Sequence, residues 1–373
     1  MRHFKQVLST KLPTGFFLAI VIAAAATAAP AQRIIKFNAP GAGTGINQGT
    51  IAGAINAGDT IAGYYVDSGS VDHGFVRAPA GAITSFDAPG AGTGANEGTI
   101  ARDINASGVI TGYSIDAGGV NHGYVRASNG TITVFDAPGA GTKINQGTIA
   151  FTINKSGVVS GYFIDSGSVR HAYIRASNGT ITTYDVQGAG TGQGEGTTGF
   201  GINDGGTVAG YIIDSGFVIH GFIRASNGAV TNYDVPGAGT GFLQGTAGGQ
   251  INSAGTVTGL YFDSGSVLHG YVRAANGTIT KFDVPGSGTG INQGTEGDWI
   301  NTSGLIAGRY SDSGGVYHGY VRTPTGQILK FNVPGAGTFL GQGTSPTMVN
   351  DANHVTGYYS DSGGVYHGFA AAQ

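Results

Sequence analysis

From Gly49 onward the chain is cut into short apolar runs, each closed by a turn rich in glycine, asparagine or aspartate. GTIAGAIN (Gly49–Asn56) ends in Asn-Ala-Gly, and TIAGYYVD (Thr60–Asp67) ends in Asp-Ser-Gly. VDHGFVRA (Val71–Ala78) and AITSFDA (Ala82–Ala88) follow on either side of a Pro/Gly turn. The loop PGAGTGANE (Pro89–Glu97) then leads to another run of the first kind. Runs of this length, rich in Val, Ile, Tyr, Phe and Thr and bounded by such turns, predict β-strands joined as hairpins. Four strands make one unit. Strict alternation of apolar and polar residues is absent, as it is where both faces of a strand are buried.

The unit recurs without drift. A Phe/Tyr-Asp/Asn pair marks it at Phe37, Phe86, Phe135, Tyr184, Tyr233, Phe282 and Phe331, at a constant interval of 49 residues. Seven copies of a four-strand unit predict an all-β fold, a seven-bladed β-propeller with four antiparallel strands per blade. The ends agree: the last copy stops after Val365–Ala372 without a fourth strand, and RIIKFN (Arg33–Asn38) aligns with AITSFD (Ala82–Asp87) without the first three. The N-terminal strand is therefore expected to complete the last blade and remove its open edge. An open β-helix is the alternative, but its GGxGxDxUx repeat is absent. The column Ile34, Ile83, Ile132, Ile181, Val230, Ile279 and Ile328, with the aromatic column three residues on, is expected to form the core between blades.

Residues 1–31 stand outside the repeat. A basic start (Arg2, Lys5, Lys11), an apolar run from Gly15 to Ala29 and the small residues of Ala29-Pro30-Ala31 read as a secretory signal peptide, cleaved before Gln32. The run is shorter than the roughly 20 residues of a spanning helix. Two domains result, a signal peptide over 1–31 and the repeat array over 32–373. The mature chain, extracellular or periplasmic, then carries 15 basic and 21 acidic residues, a net charge of −6. Nucleic acid and anionic membranes are poor partners for such a surface, and no membrane span is expected. With no cysteine, disulfides and thiolate chemistry are excluded. The 71 glycines recur at fixed places and mark turns and close packing.

Polar columns run through all seven copies. Asp67, Asp116, Asp165, Asp214, Asp263, Asp312 and Asp361 end the second strand, and a histidine follows six residues later at His73, His122, His171, His220, His269, His318 and His367. A ring of metal or catalytic centres is one reading. The other has better mechanics: the aspartate caps its own turn, and His73 falls opposite Asp87 as a cross-strand pair. The second is adopted, so no metal and no cofactor are expected. Arg77 and its equivalents to Arg322 share a strand face with the histidines and are placed to pair between blades; the seventh copy has Ala371. Asn56, Asn105, Asn154, Asn203, Asn252, Asn301 and Asn350 are read as turn-setting. Gln48, Glu97, Gln146, Glu195, Gln244, Gln293 and Gln342 either satisfy loop backbone or face a ligand at the channel mouth.

Positions that differ between copies point to function. The residue before each histidine runs Asp72, Asn121, Arg170, Ile219, Leu268, Tyr317, Tyr366, and the connecting loops differ likewise at Ile46-Asn47, Lys143-Ile144, Gln193-Gly194, Phe242-Leu243 and Phe339-Leu340. One propeller face is thus expected to be polar over the first three blades and more apolar over the last four. The column Asp72 to Tyr366 is the candidate ligand site. No nucleophile elbow, P-loop lysine or HExxH is present, and the single tryptophan, Trp299, reads as a local packing variant.

The run GT-x4-IN-x2-G-x-V-x-G-x-Y, followed by HGF or HAY, is seen at Ile153-Asn154 through Gly161-Tyr162 and at His171-Ala172-Tyr173. It resembles the HAF-type extracellular repeat proteins of bacteria over nearly the whole mature chain. The triplet here is mostly His-Gly-Phe or His-Gly-Tyr, with Arg in place of Trp two residues on. The resemblance implies export and repetition, and no particular activity. The function expected is a secreted, monomeric, non-enzymatic scaffold that presents one face to a protein or a surface glycan. The alternatives are a multivalent lectin with a pocket between each pair of blades, or a metal-dependent lyase or hydrolase using the His column.

Overall fold

The computed structural model describes residues 33–372, and the segment read as a signal peptide lies outside the described residues. No helix occurs among the described residues, and 28 strands, β1 to β28 in chain order, make up the fold. The first complete unit is β2 (Gly49–Ile55), β3 (Ile61–Val66), β4 (Asp72–Arg77) and β5 (Ile83–Phe86). They pair in sequence as an antiparallel meander, with Ile61 opposite Arg77 and Arg77 opposite Ile83. The ends of the first three strands match the sequence reading to within a residue, because the turns are written in Asn, Asp and Gly, and the fourth strand ends two residues before Ala88.

One parallel bridge joins each unit to the next. Asp72 of β4 faces Gly98 of β6 (Gly98–Ile104), and the pattern runs on around the fold. A glycine is required there: Gly98 has φ of +117°, and a Cβ would collide with the Asp72 carbonyl. At the far end β1 (Ile34–Phe37) pairs with β28 (Tyr366–Ala372), Ile34 opposite Ala371 and Phe37 opposite Gly368. Gly49 in turn faces Tyr366. The strands thus close into one ring of repeated blades, a closed propeller-like all-β fold, with β1 as the fourth strand beside β28.

The core between blades is aromatic. Phe75, Tyr124, Tyr173, Phe222, Tyr271, Tyr320 and Phe369 are fully buried. Each meets, edge to face, the aromatic that ends the preceding outer strand, as Phe37 meets Phe75 at 6.1 Å and 79°. The outer-strand Ile column contributes less than the sequence suggested, since that strand keeps one side to solvent and Val230 is 41% exposed. The arginine column does pair between blades, but with rings rather than carboxylates. The Arg77 guanidinium lies 4.8 Å from the Phe37 ring centre, and Arg126, Arg175, Arg224, Arg273 and Arg322 repeat the contact. Ala371 leaves one such position bare.

At one end of the ring axis the asparagine column does two jobs. The Asn56 side-chain oxygen accepts from the N–H groups of Gly58 and Thr60, which sets the first turn. Its Nδ2 donates to the Asn105 carbonyl of the next blade. Asn105, Asn154, Asn203, Asn252 and Asn301 pass the same bond on, and Asn350 returns it to Asn56. This belt of seven side-chain bonds ties every blade to both neighbours.

Candidate ligand site in the central channel

The repeated histidines are spent on structure. His73 Nδ1 lies 2.9 Å from Asp87 Oδ1, the cross-strand pair expected, and its Nε2 is 3.5 Å from Asp67 Oδ2. Tyr65 stacks on the same ring at 5.0 Å. Asp67 also accepts from the N–H groups of Gly69 and Val71, so it caps its own turn. The motif repeats around the fold, with Asn332 and Asn38 replacing the cross-strand aspartate for His318 and His367. Among the described residues no group of three or more His, Cys, Asp or Glu is arranged to hold a metal. The Gln/Glu column is likewise engaged with its own loops: Gln48 Oε1 accepts from Gly45 and Nε2 donates to the Ser68 carbonyl.

What differs from blade to blade converges on the axis. In the first strand of each blade the pairing with the second strand slips, between Ala52 and Ala54 in the first blade and between Ala150 and Thr152 in the third. The slip is a β-bulge, which re-aims a side chain that regular pairing would hold elsewhere. The bulge position is Gly53, Arg102, Phe151, Phe200, Gly249, Asp298 and Thr347 in successive blades. Six of these seven, all but Gly249, line the axial cavity. The cavity has a volume of about 360 Å³. The second strands add Tyr64, Arg309 and Tyr358.

The wall is chemically lopsided. Arg102, Phe151 and Phe200 stack in series, with the guanidinium 4.4 Å from the Phe151 centre and the two rings 4.3 Å apart. Across the ring, Arg309 forms a bidentate pair with Glu296, 3.0 Å at each contact. Burial pushes Asp298 up to about 7, and the Glu296 carboxylate adds to it. Burial works against the charge of Arg309, but Glu296, Tyr358 and Asp298 outweigh it and raise its pKa. Burial also raises Tyr64 and takes Tyr162 to about 12, so these phenols remain hydrogen-bond donors at any physiological pH. A side chamber of about 260 Å³ opens between the last two blades, lined by Arg309, Tyr317, Tyr358, Tyr366, Ser345 and Ser360. Trp299 lines both this channel and the shallower cavity inside the asparagine belt, so it stands in the lumen between the two.

The column singled out from sequence stands at the start of each third strand. Tyr317 and Tyr366 line the chamber and Asp72 is half-buried, taken by burial up to about 6. Asn121, Ile219 and Leu268 are buried against the neighbouring blade and offer no open surface. The loop tips do not divide as expected into polar and apolar halves. Ile46 and Ile144 in the early loops are 75% and 68% exposed, comparable to Phe242 and Phe339 in the late ones. The asymmetry lies inside the channel. Its signal, variation at the bulge position and at the position after it, was present in the aligned repeats.

These groups fix a pH profile. Burial works to raise Asp67, but the Val71 and Gly69 N–H groups and His73 outweigh it and hold it below the usual carboxylate range. Asp116, Asp165, Asp214, Asp263, Asp312 and Asp361 are depressed in the same way. Their stabilisation is complete above the unfolded value of about 3.9 and is lost as pH falls through the folded values. Asp72, Asp103 and Asp298 are raised, to about 6, 6 and 7, so they destabilise the fold progressively as pH climbs from about 3.9 to those values. Thermal melts from pH 3 to 8 should therefore peak between about pH 4 and 5. Asp298→Asn should flatten the upper limb and leave the acid limb in place.

No known protein family model and no curated protein matches the chain. Solved structures do resemble it. A lectin from Burkholderia pseudomallei, BP39L, superposes with a TM-score of 0.56 at 10% identity, covering 86% of this chain and 94% of that one. A puromycin hydrolase mutant superposes with a TM-score of 0.50 at 13% identity, covering 83% of this chain and 50% of that one. At these identities the likeness is one of fold: all-β, with repeated blades closed into a ring.

Proposed function

We propose that the chain is a seven-bladed β-propeller of four antiparallel strands per blade, a HAF-type repeat protein exported by residues 1–31. In this reading it works as a non-enzymatic binding module that seats the end of a glycan in the mouth of its central channel. One observation carries the reading: seven near-identical blades diverge at the bulged residues, and six of those residues face a common cavity. The cavity volume of about 360 Å³ falls in the small-ligand range of about 300–1,000 Å³. Stacked aromatics beside phenol and hydroxyl donors suit a sugar, which offers an apolar ring face and a polar rim.

A multivalent arrangement has less support. The slots between neighbouring blades are filled by the edge-to-face aromatic pairs and the arginines laid over them. A glycan array on the mature protein, with calcium and again with a chelator, tests the reading. Binding to one glycan class that persists in chelator and falls at least about tenfold in Phe151→Ala/Phe200→Ala is expected. Binding that survives the double substitution, or that vanishes with the chelator, argues against the channel seat.

A further inference from the structure

We propose that the channel takes a sugar bearing a carboxylate, a uronic acid residue, whose carboxyl group is held by Arg102; this rests on the channel being the glycan seat. Two cations line the cavity, Arg102 and Arg309. Arg309 is neutralised by its bidentate pair with Glu296. Arg102 forms no ion pair among the described residues, where the arginine and lysine pairs with carboxylates are Arg309–Glu296 and Lys155–Asp204. Its guanidinium carbon lies over the Phe151 ring, 4.4 Å from the centre, a contact that occupies none of its N–H donors. A guanidinium on the channel wall with no carboxylate partner is placed to take a ligand anion.

The surroundings narrow the anion. Tyr64 lines the same cavity close enough for Arg102 to act on its ionisation, and burial keeps it protonated, so it supplies a further donor. The wall opposite carries Glu296 and Asp298, and Asp72 lies close enough to act on the ionisation of Tyr64. One uncompensated cation among these acids suits a monoanion. A phosphate monoester, with a charge of about −1.5 to −2, would be repelled. The planar fork of a guanidinium matches a planar carboxylate in two parallel bonds. Phe151 and Phe200 continue in series from Arg102, so a ring attached to that carboxylate would lie along the aromatic wall.

Titration calorimetry of the intact mature chain with three matched oligosaccharides tests this. The probes are an oligouronate, the same oligomer with its carboxyl groups reduced to primary alcohols, and that neutral oligomer sulfated at the primary alcohol. The oligouronate is expected to bind about 10- to 100-fold tighter than its reduced form. Arg102→Met should shrink that difference to within about twofold, and Arg102→Lys should keep part of it. Equal affinity for the acidic and reduced oligomers overturns the inference while leaving the channel seat standing. Binding of neither overturns both. A sulfated oligomer that matches or exceeds the oligouronate overturns the choice of carboxylate.

Discussion

A chain starting at residue 39, lacking β1, is expected to melt at least about 10 °C below the full repeat array and to aggregate on warming. The strand supplies more than four residues of ladder. Phe37 is the edge-on partner of the fully buried Phe75, and its ring carries the Arg77 guanidinium. Loss of one such aromatic costs about 3–5 kcal/mol by itself. The deletion also removes the Asn38 side chain that partners His367, and leaves Gly368 to Ala371 of β28 as an unpaired edge. An edge of that kind is a template for association. Differential scanning calorimetry with light scattering checks this. An unchanged melting temperature with a monodisperse sample would mean that the ring does not depend on its terminal closure.

The second large effect concerns the channel wall. Arg309→Met should destabilise the fold by about 3 kcal/mol or more, because it leaves Glu296 and Asp298 facing each other with no cation between them. The pair sits with 26% and 17% of its side-chain surface exposed, so solvent screens it only in part. Removing all three charges together, as Glu296→Gln/Asp298→Asn/Arg309→Met, should recover most of the loss, since no unpaired charge then remains. Urea unfolding of the four variants in the cycle measures it. Arg309→Met within about 0.5 kcal/mol of the parent would show that the wall is wet enough to solvate its acids unaided.

Local chemistry made much of this legible in advance. The turn residues fixed where strands end, and the strand order within a blade followed from short connections. The His73–Asp87 pair could be counted across a hairpin whose turn was known. The complementary ends of the repeat pointed to β1 beside β28. Contacts between blades were harder to read, because their partners lie one full repeat away. Asn56 was recognisable as a turn-setter, but its bond to the Asn105 carbonyl depends on how two blades meet. Arg77 was placed on the correct face, yet whether it would find a carboxylate or the Phe37 ring was a matter of packing.

The channel was hidden for a further reason. A bulge is a property of pairing between two strands, so nothing in GTIAGAI or GTIAFTI announces that Gly53 or Phe151 is turned toward the axis. Trp299 looked like an isolated substitution for the same cause. Its neighbour Asp298 lies in the bulge, where the slip spans Glu296 to Trp299, and the indole both packs on the core and lines the cavity. Divergence confined to a few columns of an otherwise constant repeat was the available clue, and it named the third-strand column before the wall.

The binding account stands or falls on stoichiometry. A repeat array that uses its seven equivalent surfaces should bind about as many ligands as it has blades, whereas the lopsided channel has a single seat. Titration calorimetry with whichever glycan the array selects is the direct measurement. The account predicts one ligand per chain, with heat lost in Phe151→Ala/Phe200→Ala. Several equivalent sites per chain, unaffected by those substitutions, would contradict it and return the function to the surfaces between blades.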